Sequence, residues 1–182
     1  MSGAATPHSL EQFIQLGRLG DALKRLNDGS DCGILGIDRD LVASEVSALA
    51  GFSSDAKRLA ERVSGLKDAS VEQRLRARIV LAQVRIDAGR AREAHQHLTE
   101  IVNDAAAAKA WRLRCWAELW SLTALGDFGS AVEIRGFLRH LRQHVNQLGD
   151  PVTSIALHLF VAEAESRRGV IASSVQHVKI AR

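Results

Sequence analysis

Along most of the chain, apolar residues recur three and four positions apart, in stretches divided by short glycine-bearing breaks. Leu75, Ile79, Ala82 and Ile86 make one such stripe, Gly89 interrupts it, and Ala94, Leu98, Ile101 and Val102 resume it. The pattern predicts helices in pairs: 9–16 with 19–27, 39–50 with 53–65, 70–88 with 90–103, 105–125 with 127–147, and 151–168 with 171–181. Helix starts carry their own signals. Ser9-Leu-Glu-Gln12 and Ser70-Val-Glu-Gln73 have the form of capping boxes, and Asp150-Pro151 puts a capping carboxylate before a first-turn proline. The irregular stretch 28–38, with three glycines, reads as a loop after a short first hairpin.

The breaks repeat. A glycine followed five residues later by a small residue occurs at Gly17/Ala22, Gly51/Ala56, Gly89/Ala94, Gly126/Ala131 and Gly169/Ser174, with glycine spacings of 34, 38, 37 and 43 residues. Glycine suits the left-handed position just past a helix. A small residue early in the next helix lets two helices cross closely. Each pair therefore reads as the corner of an antiparallel helix hairpin.

Composition narrows the class. The chain has 182 residues, 46% apolar, 4% aromatic, with two prolines and no tyrosine, which favours an all-α protein over a β-sandwich or a disordered chain. Twenty-four basic residues against 21 acidic give a formal net charge of +3, too small to point to a nucleic-acid partner. Cys32 and Cys115 stand alone and read as reduced thiols. The start has no signal-peptide form, and no apolar run reaches the roughly 18 residues of a membrane helix. The expectation is a cytoplasmic protein with no membrane contact.

The segments Leu81-Ala82-Gln-Val-Arg-Ile-Asp-Ala-Gly89-Arg-Ala-Arg-Glu-Ala94 and Ala162-Glu-Ala-Glu-Ser-Arg-Arg-Gly169 resemble tetratricopeptide repeats, in the divergent form found in bacterial regulatory proteins. Ala181 falls where that family has a second alanine. The resemblance implies a right-handed α-solenoid of about five hairpins, a single domain over 1–182, whose concave face binds a peptide, a helix or a neighbouring domain. Arg85, Leu122 and Glu165 depart from the family's large core residue before the turn, and only Pro151 stands where its prolines do. Leu41, Glu45, Ile79, Gln83, Trp116 and Trp120 occupy the positions of the family's lysine and asparagine clamp, so an acidic C-terminal peptide is not the expected ligand.

Partner-binding candidates are Trp116, Trp120, Ile79 and Gln83 on groove-facing positions, with Arg76 as a rim charge. Trp116 and Trp120 share a helix face, from which Trp111 is rotated away. They read either as an interface hot spot or as packing beside Ala117, Ala124 and Ala131. His140 and His144 have two-ligand spacing but are flanked by Arg139 and Arg142, and His95 and His97 point apart. Arg135, Arg139 and Arg142 form a stripe that Glu133 and other acids are placed to neutralise. No catalytic motif is present, so neither an enzyme nor a cofactor is expected.

The final segment closes without a terminator and leaves Val175, Val178 and Ile180 in line, which suggests a part of a longer protein. The functional expectation is a protein-interaction module, the regulatory part of a larger bacterial signalling or transcription-regulating protein. Two alternatives remain: a helical repeat binding nucleic acid through the arginine stripe, and self-association into a homodimer through the C-terminal hairpin.

Overall fold

The structure is a computed structural model that describes residues 18–28 and 36–180. Gly17, Cys32, Ala181 and the expected helix 9–16 lie outside the described residues. Among the described residues the only regular elements are nine helices, which makes the chain all-α. They are α1 (Leu19–Asn27), α2 (Gly36–Leu49), α3 (Ser53–Gly65), α4 (Val71–Asp87), α5 (Ala91–Ala107), α6 (Trp111–Phe128), α7 (Ala131–Leu148), α8 (Pro151–Arg167) and α9 (Ile171–Ile180). Helix α2 starts within the stretch read as a loop, so 36–38 are helical.

The corners follow from backbone hydrogen bonding. At the end of α2, Gly51 N–H donates to Ala48 O (3.1 Å) and Phe52 N–H to Ser47 O (2.8 Å), with Gly51 at φ +81°. That paired closure is the Schellman motif, which satisfies carbonyls the helix leaves free. Gly89 (φ +74°) and Gly169 (φ +76°) close α4 and α8 in the same way. A fourth closure ends α5 at Lys109, a non-glycine at φ 57°, with Ala110 N–H on Ala105 O at 2.8 Å. No glycine marks that corner, so the sequence places it some residues too early.

Gly126 corrects the repeat reading. It lies inside α6, two residues before its end, and its φ is not left-handed. A Cβ there would sit 2.9 Å from both Cα and O of Ala164. Its role is close approach between α6 and α8, not a turn. The α6–α7 corner comes instead at Gly129–Ser130, so Ala131 is the first residue of α7 and not a residue one turn in. Ser130 Oγ accepts from Glu133 N–H (3.2 Å) while Ser130 N–H donates to Glu133 Oε2 (2.8 Å), a complete capping box. The expected box at Ser70 and Gln73 forms as well, at 2.9 and 3.1 Å, and Asp150 caps α8 by accepting from Thr153 N–H at 3.1 Å.

The chain divides into two compact units, Met1–Leu81 and Ala82–Arg182, with the boundary inside α4. In the first, α2 packs on both α1 and α3, around Ala22, Leu26, Ala43, Val46 and Leu59. Ala22 of α1 and Ala56, the small residue after the Gly51 corner, are fully buried. In the second unit α6 is central, packed by α5, α7 and α8, while α9 lies on α8. Its burial is correspondingly all-round, from Cys115 through Ala117, Glu118, Leu119 and Ser121 to Gly126. Leu119, Leu122, Ile134, Leu141, Val145, Leu157 and Val161 form the core there, and Ala94 of α5 is fully buried too.

Candidate functional site

Three places in the second unit combine a recess or open face with polar chemistry. The first is built on α6 and α8. Trp116 and Trp120 both meet Phe160 edge to face, at centroid distances of 6.0 and 4.9 Å. Trp116 packs onto the core behind it. Trp120 instead lines a recess of about 270 Å³ together with Asp87, Thr123, Leu159, Phe160, Glu163 and Arg167. The tryptophans thus divide the two readings left open for them, one against the core and one at a surface recess. Trp111 stays half exposed, at 50%.

The polar groups of this recess are unevenly satisfied. Arg167 Nε donates to Glu163 Oε1 at 2.7 Å, and its Nη1 donates to both carboxylate oxygens of Asp127 at 3.1 and 3.2 Å. Asp87, at the end of α4, has neither a hydrogen bond nor an ion pair with any described residue. The low-dielectric wall beside Asp87 raises its carboxyl above the ordinary range; Arg167 opposes the shift and Glu163 adds to it. Thr123 is 1% exposed, yet its hydroxyl has no hydrogen-bond partner. An unpaired buried hydroxyl costs about 1–3 kcal/mol, so a group that reached it would recover that loss.

The second place is a recess of about 510 Å³ lined by Trp111, Arg114, Cys115, His144, Gln147 and Leu148. Glu118, buried beside it, is met by two neighbours: Arg114 Nε donates to its Oε1 at 3.2 Å, and His144 Nδ1 lies 2.9 Å from the same oxygen. His144 is thereby committed to a carboxylate on another helix and not to His140. A cysteine and a histidine on one recess invite a nucleophile–base reading. Burial, with Glu118 second, pushes the Cys115 thiol up to about 11, so it stays protonated at neutral pH. Catalytic cysteines are shifted the other way.

The third is the outer face of α7. Arg135, Arg139 and Arg142 line one open surface with Gln143, Asn146 and Gln147. None of the three arginines has an ion pair with a described residue. Glu133, the acid expected to neutralise them, is held by its capping box, which keeps its carboxyl below the usual range.

Comparison of the chain with protein-family models, with curated proteins and with solved structures finds no match. The remaining candidates lie as follows. Ile79 and Gln83 are each 8% exposed and so present little surface to a partner. Arg76 forms a two-pronged pair with Glu45, Nε to Oε1 and Nη2 to Oε2, both at 2.9 Å. Its guanidinium is charged, and Glu45 holds the proton more firmly against the opposing effect of burial. Ser174 is partly buried on α9, where Ile171, Val175 and Ile180 are exposed and Val178 is partly covered. His95 is kept neutral by burial, with its ring edge-on to Phe128 at 5.7 Å. Among the described residues no three His, Cys, Asp or Glu side chains come together as a metal site, and no helix is long and apolar enough to cross a membrane.

Of the recess residues, the sequence singles out only Trp120. Asp87, Thr123, Leu159 and Phe160 come from α4, α6 and α8 and meet only through the fold. The one signal available beforehand was the four-residue spacing of Glu163 and Arg167.

Proposed function

We propose that the repeated helix hairpins are tetratricopeptide-like units and that the chain is a protein-interaction module, the regulatory part of a larger signalling or transcription-regulating protein. The partner docks at the recess between α6 and α8. The observation that carries this reading is the Trp120–Phe160 pair at the mouth of a recess whose buried Thr123 hydroxyl is unpartnered. Aromatic groups at a partly covered recess are the side chains that carry interface energy. The recess volume of about 270 Å³ falls below the roughly 300–1,000 Å³ of small-molecule pockets and suits one anchoring side chain.

Peptides selected from a random display library on the full chain, then mapped by NMR, test the reading. It expects the resonances of Trp120, Thr123 and Leu159 to move together. Peptides that perturb only α9, or only the recess at Trp111, contradict it.

A second reading is favoured by the unpaired arginines of α7. Arginine, asparagine and glutamine on one open helix face suit phosphate and base edges. Duplex DNA should then bind at low salt with an affinity that falls steeply as salt rises, and Arg139→Glu should reduce that slope. No binding at 50 mM salt removes this reading.

A further inference from the structure

We propose that the recess between α6 and α8 receives the guanidinium of an arginine side chain presented by the partner protein. The inference rests on the reading of that recess as the docking site and adds the chemistry of what enters it.

Charge points the same way as shape. Two carboxylates, Asp87 and Glu163, line the recess with one guanidinium, Arg167, whose charge is also met by Asp127. Arg167 donates from Nε to Glu163 and from Nη1 to Asp127, and makes no hydrogen bond to Asp87. An incoming cation therefore meets an unpaired acceptor at the rim and a second, hydroxyl acceptor at Thr123. The same recess is lined by the rings of Trp120 and Phe160, whose near-perpendicular packing, 86° between planes, presents one ring's face beside the other's edge. A cation is attracted to such a face.

The arrangement distinguishes guanidinium from ammonium. A flat, weakly hydrated group with five donors can lie along the indole while it forks to Asp87 and reaches Thr123. Lysine's compact ammonium keeps more of its water and meets one acceptor at a time. Leu159, 46% exposed at the lip, gives the alkyl stem an apolar surface. The chain's formal charge of +3 disfavours non-specific capture of cations elsewhere.

The test uses the full chain and four peptides of the form Gly-Gly-X-Gly-Gly amide, with X as arginine, citrulline, lysine or norleucine. The readout is the indole N–H resonance of Trp120, assigned with Trp120→Phe. The arginine peptide should move it along a saturable curve and bind at least five-fold tighter than the citrulline or lysine peptide. Asp87→Asn, at an exposed position that does not threaten folding, should abolish the advantage over citrulline. Equal binding of lysine, or tighter binding of norleucine, overturns the guanidinium assignment while docking at the recess stands. If no pentapeptide moves Trp120 but library-selected peptides do, the arginine inference fails alone. If neither kind does, both readings fail.

Discussion

Gly126 and Ala164 bring α6 and α8 together so closely that a Cβ on Gly126 would lie 2.9 Å from the Ala164 backbone. This contact sets the spacing of the two helices that carry the recess. Gly126→Ala gains about 1 kcal/mol of helix propensity but must push a backbone aside, at about 1–3 kcal/mol. The overlap should win, with a net loss of up to about 2 kcal/mol in chemical denaturation. A stabilised variant would mean that the helices are farther apart.

The corner at Lys109 gives the opposite sign. A non-glycine at φ 57° bears a penalty of about 1–2 kcal/mol that glycine does not. Lys109→Gly should stabilise by about 0.5–1 kcal/mol after the added freedom of the unfolded chain is counted. Gly89→Ala, where φ is +74° and nothing lies within 4 Å of the added carbon, should cost about 1 kcal/mol from backbone strain alone.

Glu118 holds Arg114 and His144 from one buried side chain, 8% exposed, while its partners keep about a quarter of theirs. Removing one member of a fully buried pair costs about 3–5 kcal/mol. With the partners partly solvated, Glu118→Ala should cost about 2–4 kcal/mol in urea denaturation. A loss below about 1 kcal/mol would place the pair in water.

Cys115 makes stability depend on alkaline pH. Its folded thiol titrates at about 11 against an ordinary 9.0, so both states are protonated below pH 9 and the full contribution is present there. As pH rises from 9 through 11 the unfolded chain ionises first, and stability falls by up to about 1.4 kcal/mol per pH unit. The urea midpoint should therefore drop more steeply in this interval for the wild type than for Cys115→Ala. Parallel curves would show that the thiol is not buried.

The sequence and the fold part company at identifiable residues. Corners at Gly51, Gly89 and Gly169 were legible because a left-handed residue past a helix leaves a glycine behind. Gly126 was misread because glycine followed by a small residue looks the same whether it ends a helix or lies under one. The better signal was Ser130 with Glu133 three residues on, a capping box that fixes the start of α7. Lys109 left no signal at all. The aromatic anchor of the recess could be found by composition, since tryptophans are few. Asp87 and Thr123 could not, because an unpaired acid and a stranded hydroxyl exist only once three helices have packed.

The most direct test of the account is the dissociation constant of a library-selected peptide for Trp120→Ala beside Trp111→Ala, with Leu159→Ala as a variant that leaves the core untouched. The account predicts at least a ten-fold loss for Trp120→Ala, a smaller loss for Leu159→Ala and no change for Trp111→Ala. Full affinity in Trp120→Ala with loss in Trp111→Ala would contradict it, and would move the partner to the other recess.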